Sequence, residues 1–435
     1  MLWLYRLLFL PLALLSAPYY GWRMRRRGGY GAHFGQRFGA TPPLPAKRPG
    51  VQRVWLQAVS VGEMLAIAPL IEAWRADPAV EVYLTTTTST GYALAAERYL
   101  AKGAVMGLGY FPLDFWFCSA KAWRSVRPDL VVLTEGERWP EHLHQAARRG
   151  VPAVAVNARL SDRSFRRMRR LGPLARLLTR GLSHVLAASE GDAERFAAFG
   201  VPEGRITVTG NLKLDVSLPE VGEAEAAKFR RELGLGDAKL LLGASTWPGE
   251  EAALLDAWRG LGGGAGDEKT GAWKLLIVPR HAERRGEIET LLAASGLRYH
   301  FRSRGAAGGE VDVAVADTTG ELARLLALGE IVFVGKTLPP HTEGQTPVEA
   351  AARGKAVIFG PGTANFRLIA RELEEAGAAR RVAGSAELAV AVRNFAEDAG
   401  AREKAGAAGS AWQRGNRGAS ERTRAVLSGI LQSRN

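Results

Sequence analysis

Cysteine is almost missing from this chain. Cys118 is the only one in 435 residues, so no intrachain disulfide can form and an oxidising compartment is not required. Metal-ligand patterns are missing too: His142 and His144 have no companions at ligand spacing, so no metal is expected. There is no G-x-G-x-x-G and no nucleophile-elbow serine, and no cofactor is expected. Gly335-Lys336-Thr337 ends like a P-loop, but Gly329 stands one position too far upstream, and the residues between read as a strand. After residue 22 no stretch is long and apolar enough to cross a bilayer. The first fifty residues contain no acid at all.

What is present is ordinary globular composition, 47% hydrophobic and 23% charged, long enough for two or three domains at roughly 100–200 residues each. The net charge of +14 is unevenly placed. Residues 1–50 carry eight basic residues, and residues 159–180 carry eight arginines against Asp162 alone. The remainder is close to neutral. Two basic patches on a neutral body point to a local anionic contact: a membrane surface, a phosphorylated ligand or nucleic acid.

From Leu2 to Trp22 the chain is apolar but interrupted by Arg6 and Pro11. Leu15-Ser16-Ala17 resembles a signal-peptidase site, yet the positive charge follows the apolar run instead of preceding it. Arg23, Arg25, Arg26 and Arg27 should stay cytoplasmic, and Tyr19, Tyr20 and Trp22 sit where an interfacial aromatic belt would lie. The expectation is an amino-terminal anchor or in-plane helix, with a cytoplasmic body.

Beyond the Pro/Gly-rich connector at 41–50, short apolar runs alternate with helical patterns. Strands are expected at 54–59, 82–86, 130–134, 153–156, 185–188 and 206–208, then at 239–244, 274–278, 331–334 and 355–359. Helical patterns cover 64–75, 91–100 and 139–149. Gly-rich 261–271 and 305–309 read as surface loops. Continuous apolar strands separated by helices indicate parallel sheets covered on both faces, hence an α/β chain of two doubly wound, Rossmann-like domains joined near 212–225. Ligands of such folds sit beyond the carboxyl ends of the strands.

The loops at those ends carry the candidate chemistry. Ser60-Val61-Gly62-Glu63 is a capping box, or a carboxylate placed as a general base. Glu135 and Glu137 of TEGERWP follow the strand at 130–134, either as helix-start acids or as a pair raising one another's pKa. Arg163, Arg166, Arg167 and Arg170, with Arg159 just before them, build a basic face suited to phosphate or anionic lipid, or simply a solvated helix. Pro279-Arg280-His281 follows a strand, and Thr318-Thr319-Gly320-Glu321 starts a helix whose free N–H groups suit an anion. Thr346-Pro347-Val348-Glu349 opens another helix with a carboxylate placed for a ribose.

Taken in order, these loops resemble the 3-deoxy-D-manno-octulosonate (Kdo) transferases of lipopolysaccharide biosynthesis, from the amino terminus to about Phe366. The landmarks are AVSVGE (58–63), TTTTSTG (85–91), TEGERWP (134–140), NARLSDRS (157–164), VTGNLKLD (208–215), AST-x-x-GEE (244–251), VPRHAER (278–284), DTTGEL (317–322) and GPGTANF (360–366). The resemblance implies a GT-B fold, with two Rossmann-like domains facing a central cleft. It divides the chain into an anchor and basic flank (1–27), an acceptor-binding domain (28–212) and a CMP-Kdo-binding domain (213–435). The activity implied is inverting, metal-independent transfer of Kdo from CMP-Kdo to a lipid A precursor at the cytoplasmic face of the inner membrane. By position, Glu63 matches the catalytic base, and Glu135 and Lys213 match groups that stabilise the transition state. Pro279, Arg280, His281, Thr319, Gly320, Glu321, Thr346, Pro347, Val348 and Glu349 match the donor site. Arg159, Arg163, Arg166 and Arg167 are the acceptor-phosphate candidates. Gln57 and Trp247 stand where the family usually has histidine, and Arg138 and Glu141 where it has leucine and asparagine. Both basic patches are expected to face membrane lipid or the glycolipid acceptor, and nucleic acid is not expected as a partner. The alternatives are a membrane-associated GT-B transferase with a UDP-sugar donor and a non-catalytic anionic-lipid or nucleic-acid binder.

Overall fold

A computed structural model describes residues 2–27, 31, 33–216, 218–262 and 273–433. The first sheet comprises β1 (Gln52–Gln57), β2 (Val80–Thr86), β3 (Gly107–Tyr110), β4 (Leu130–Thr134), β5 (Ala153–Ala158), β6 (His184–Ala187) and β7 (Ile206–Val208). All seven are parallel, in the order β3-β2-β1-β4-β5-β6-β7. Along β1, Val54 and Leu56 join one buried cluster and Trp55 joins the cluster on the opposite face. Burial on both faces is why these strands read as unbroken apolar runs.

The second sheet repeats the plan with β8 (Lys239–Thr246), β9 (Trp273–Pro279), β10 (Tyr299–Phe301), β11 (Val313–Val315), β12 (Ile331–Val334), β13 (Ala356–Phe359) and β14 (Ala379–Arg381). It is also wholly parallel, in the order β10-β11-β9-β8-β12-β13-β14. Strand order reverses beside β1, between β2 and β4, and beside β8, between β9 and β12. Those switch points open the crevices where doubly wound folds take ligands.

The structure adds four strands to those expected, β3, β10, β11 and β14. The helix expected at 64–75 is two helices, Val61–Ala66 and Ala68–Arg75, because Pro69 has no N–H to continue the first ladder and sits instead in the opening turn of the second. The 91–100 pattern is a helix Ser89–Ala95 run into a π-helical turn, Ala96–Leu100. The Gly-rich loop 261–271 lies, from residue 263, outside the described residues, while 305–309 is irregular as expected.

The compact units correct the expected domain boundaries. Unit one is Met1–Asp215 together with Gly418–Asn435, and unit two is Val216–Arg417. Lys213 therefore belongs to the first unit, and the chain returns to that unit for its last helix, Ala419–Gln432. Ala419, Leu427 and Leu431 of that helix enter the core beside Val54 and Leu56. Asp215 fixes the return by accepting the N–H of Gly418 (3.1 Å) and of Ser420 (2.7 Å).

At the other end of the chain, Leu2–Arg27 forms one helix containing Pro11 and Pro18. It is long and apolar enough to cross a membrane by length and composition. Its first turns are nevertheless held on unit one. The Tyr5 hydroxyl donates to Asp114 Oδ2 (2.6 Å), Arg6 donates through Nε and Nη2 to both oxygens of Glu141 (2.9 Å each), and Phe9 stacks on Phe115. Arg6, which looks like an interruption of an apolar run, is the partner of a fully buried carboxylate.

Candidate active site

Glu63 sits in the first turn of Val61–Ala66, on the loop that follows β1. The capping-box reading holds. Ser60 Oγ accepts the Glu63 N–H (3.3 Å), and the carboxylate returns to take the Ser60 hydroxyl (3.2 Å) and the Val59 N–H (2.9 Å). The Thr134 hydroxyl at the end of β4 donates a fourth bond at 2.5 Å. The cap therefore ties Glu63 across the β1/β4 switch point, where it is 8% exposed. Burial raises its carboxyl above the usual range, against the lowering effect of the Thr134 and Val59 bonds.

Glu135 and Asn157, next to the ends of β4 and β5, both hold the left-handed backbone, each at φ 49°. That conformation is unfavourable for a residue with a Cβ, and it presents both side chains to the same space. Asn157 Nδ2 donates to Glu135 Oε1 (3.3 Å), while Asn157 Oδ1 accepts the Leu212 N–H (2.9 Å). Leu212 opens the 3-10 turn Leu212–Leu214, which delivers Lys213 Nζ to 2.5 Å from Glu135 Oε1. The Lys213 ammonium also lies against Gly62, where a Cβ would stand 3.8 Å from it. Residues from three distant stretches thus meet at one sheet edge.

Glu137, paired with Glu135 in the sequence reading but not singled out, is a third acid here. The Trp139 indole donates to it (2.6 Å), and burial, with the Glu63 charge nearby, pushes its carboxyl up to about 7. Only tertiary burial separates it from Glu135, so the sequence offered no signal beyond the i, i+2 spacing. The sign of its linkage is clear. With a pKa near 4.5 unfolded and about 7 folded, the native state holds this proton more tightly, so stability falls as pH rises through that window. Glu137→Gln should match the parent's thermal midpoint at pH 4.5 and exceed it increasingly up to pH 8; a constant difference would assign the shift elsewhere.

Of the expected acceptor arginines, Arg163, Arg166 and Arg167 lie on the helix Asp162–Arg170, which starts at the carboxyl edge just beyond β5 and is capped by Ser161, and Arg159 precedes it. Arg163, Arg166 and Arg167 are exposed, Arg159 is half-buried, and Met168 is the helix's buried side chain. No hydrogen bond or ion pair joins these arginines to the carboxylate cluster among the described residues.

In unit two the expected donor residues all follow strands at the carboxyl edge. Arg280 and His281 are exposed beyond β9, with the His281 ring 5.2 Å from that of Trp247. Thr319 and Gly320 are exposed, whereas Glu321 is clamped by Arg302 (2.7 and 2.8 Å) and accepts the Thr318 hydroxyl. Arg302 holds the Glu321 carboxyl below its usual range. The helix it opens is a single turn, Leu322–Leu325. Thr346 is exposed, Pro347 and Val348 are buried, and Glu349, in the first turn of Val348–Ala352, has its carboxyl raised by burial.

Sequence reading missed the residue that shapes the unit-two switch point. Glu250 is 1% exposed, and its carboxylate accepts the N–H groups of Trp247 (2.9 Å), Lys336 (2.7 Å), Thr337 (2.8 Å) and Leu338 (3.0 Å). It thereby holds the loops after β8 and β12 together, with Lys336 Nζ 4.3 Å over the Trp247 ring. Among the described residues, no group of three His, Cys, Asp or Glu side chains is placed to hold a metal ion.

Residues 32–216 match the family model described as 3-Deoxy-D-manno-octulosonic-acid transferase (kdotransferase). The chain is 37% identical to a 3-deoxy-D-manno-octulosonic acid transferase of Bordetella pertussis, over 92% of this chain and 93% of that protein. It is 31% identical to one of Haemophilus influenzae, over 98% and 95% respectively. Among solved structures, Anabaena HepE in complex with UDP aligns with TM-score 0.54 at 15% identity, over 88% of this chain and all of that one. The UDP-GlcNAc 2-epimerase of Neisseria meningitidis bound to UDP-GlcNAc aligns with TM-score 0.52 at 14% identity and the same coverage. Those two likenesses establish the two-sheet GT-B architecture alone.

Proposed function

The chain belongs to the 3-deoxy-D-manno-octulosonic acid transferase family and is a glycosyltransferase; from that premise we propose that it moves Kdo from CMP-Kdo to a hydroxyl of a lipid A precursor, with inversion, at the cytoplasmic face of the inner membrane. The observation that carries the reading is the cluster of Glu63, Glu135 and Lys213 at the β1/β4 switch point. As the acceptor oxygen attacks the anomeric carbon, Glu63 takes its proton. The bond from that carbon to the CMP phosphate breaks, and the electron pair leaves with CMP. Positive charge on the donor carbon is favoured by nearby carboxylate, which is the role assigned to Glu135. Lys213 offers an ammonium to the Kdo carboxylate or the departing phosphate.

Unit two is assigned the donor, through Pro279, Arg280, His281, Thr319, Gly320, Glu321 and the Thr346–Glu349 segment. The arginines at 159, 163, 166 and 167 are assigned the acceptor's phosphates. CMP leaves as a stable anion, so the proposed chemistry requires no metal to activate it.

The test is incubation with a defined tetraacylated lipid A precursor and either CMP-Kdo or UDP-sugars, with the product read by mass spectrometry. Transfer from UDP-sugars alone would remove the donor assignment. In the same assay Lys213→Met should lose about 10²-fold in kcat, the usual cost of one preorganised electrostatic group, and an unchanged kcat would remove its role.

A further inference from the structure

We propose that the helix Leu2–Arg27 lies in the plane of an anionic bilayer surface with both ends on the side of the body, and does not cross it. The inference rests on the membrane-associated reading of the chain and adds the geometry of attachment. At its start the helix is pinned to unit one by three contacts of different kinds: Tyr5 to Asp114, Arg6 to Glu141, and Phe9 on Phe115. Glu141 is 0% exposed and Asp114 1% exposed. Withdrawing Arg6 would strand a buried carboxylate, which is strongly unfavourable. Beyond the other end, His33 is already back on unit one, its ring stacked on Tyr92 at 5.6 Å.

Two lengths then exclude a crossing. Between Phe9 and the first flanking arginine, Arg23, lie residues 10–22, which rise about 20 Å as helix, short of a hydrocarbon core of about 30 Å. From Arg27 to His33 the chain can reach at most about 21 Å. A recrossing on that segment would also leave its backbone groups unpaired in lipid. Both ends therefore stay on one side.

The surface has the composition such a position needs. Leu7, Leu12, Leu15 and Trp22 are exposed along the helix. Beside its pinned end the body exposes Trp116 and Phe117, next to the Phe115 that stacks on Phe9. Arg23, Arg25, Arg26 and Arg27 follow the apolar run, where anionic headgroups would meet them. An apolar helix flanked by arginines and flush with exposed body aromatics fits lipid rather than a protein groove.

The test places one cysteine at each end of the full chain, Leu2→Cys or Met24→Cys. Cys118, at 1% exposure, leaves the parent as an unlabelled control. Sealed membrane vesicles of both orientations are treated with a membrane-impermeant maleimide and then washed at high salt. The proposal expects both positions to label in the same orientation and to stay silent in the other, with the protein retained in the pellet. Reciprocal labelling of the two positions would establish a crossing and overturn it. Release by high salt would show that charge alone holds the chain and overturn the embedded helix, whereas absence from the pellet before the wash would remove the membrane-associated reading itself.

Discussion

Glu63→Gln is expected to lose about 10³-fold in kcat, within the range of a positioned general base, with the fold intact. The separation of the two effects comes from the site's construction. Ser60 and Glu63 form a reciprocal helix cap, and that cap accepts glutamine as readily as glutamate, so thermal stability should stay within about 1 kcal/mol of the parent. What glutamine cannot do is take the acceptor's proton. Single-turnover transfer with radiolabelled donor, alongside a melting curve, measures both; near-normal turnover would remove Glu63 as the base.

The pH profile gives an independent reading of the same group. The base works ionised, and burial raises its pKa from the ordinary 4.5. The acid limb of kcat/KM should therefore lie above that value, with activity lost as pH falls through it. The Thr134 hydroxyl stabilises the ionised form, so Thr134→Val should move the limb to higher pH. A limb that stays put would mean that some other group controls it.

Glu250→Ala should be the most destabilising single change in unit two. Its carboxylate satisfies four backbone N–H groups of two loops inside a buried site. Alanine leaves those donors without an acceptor, at about 1–3 kcal/mol for each that water does not reach. A loss of about 4 kcal/mol, or roughly 10 °C in the midpoint of a unit this size, is expected. Glu250→Gln keeps one carboxyl-type oxygen and should lose about half as much. Urea unfolding followed by tryptophan fluorescence reads the difference, and equal midpoints for Glu250→Ala and the parent would refute the bridging role.

The large parallel strands were legible because each buries both faces and so carries an unbroken apolar run, as in Leu240, Leu241 and Leu242 of β8. Strands of three or four residues were not. β14 is Ala-Arg-Arg and β3 contains two glycines, and both become strands by pairing with a long neighbour. In the site, sequence reading put Glu63 and Glu135 each just after a strand, whereas the pairing of those strands, β1 with β4, is a property of the fold. The 2.5 Å approach of Lys213 to Glu135 needed Asn157 as a bridge, 55 residues away from Leu212 in sequence. Glu250 was invisible for a related reason, and Glu137 showed only as half of an acid pair, since burial and a converging set of N–H donors are properties of folded space. The return of the last helix had no local sign either, because the partner of Gly418 and Ser420 is Asp215.

That return sets an order of completion during synthesis. Unit two, residues Val216–Arg417, is one uninterrupted stretch and has its whole core in hand before the chain ends. The core of unit one stays open until Ala419, Leu427 and Leu431 emerge, after the whole of unit two. A premature stop just after residue 417 would therefore cripple the half that contains Glu63, more than three hundred residues upstream, and spare the half it adjoins.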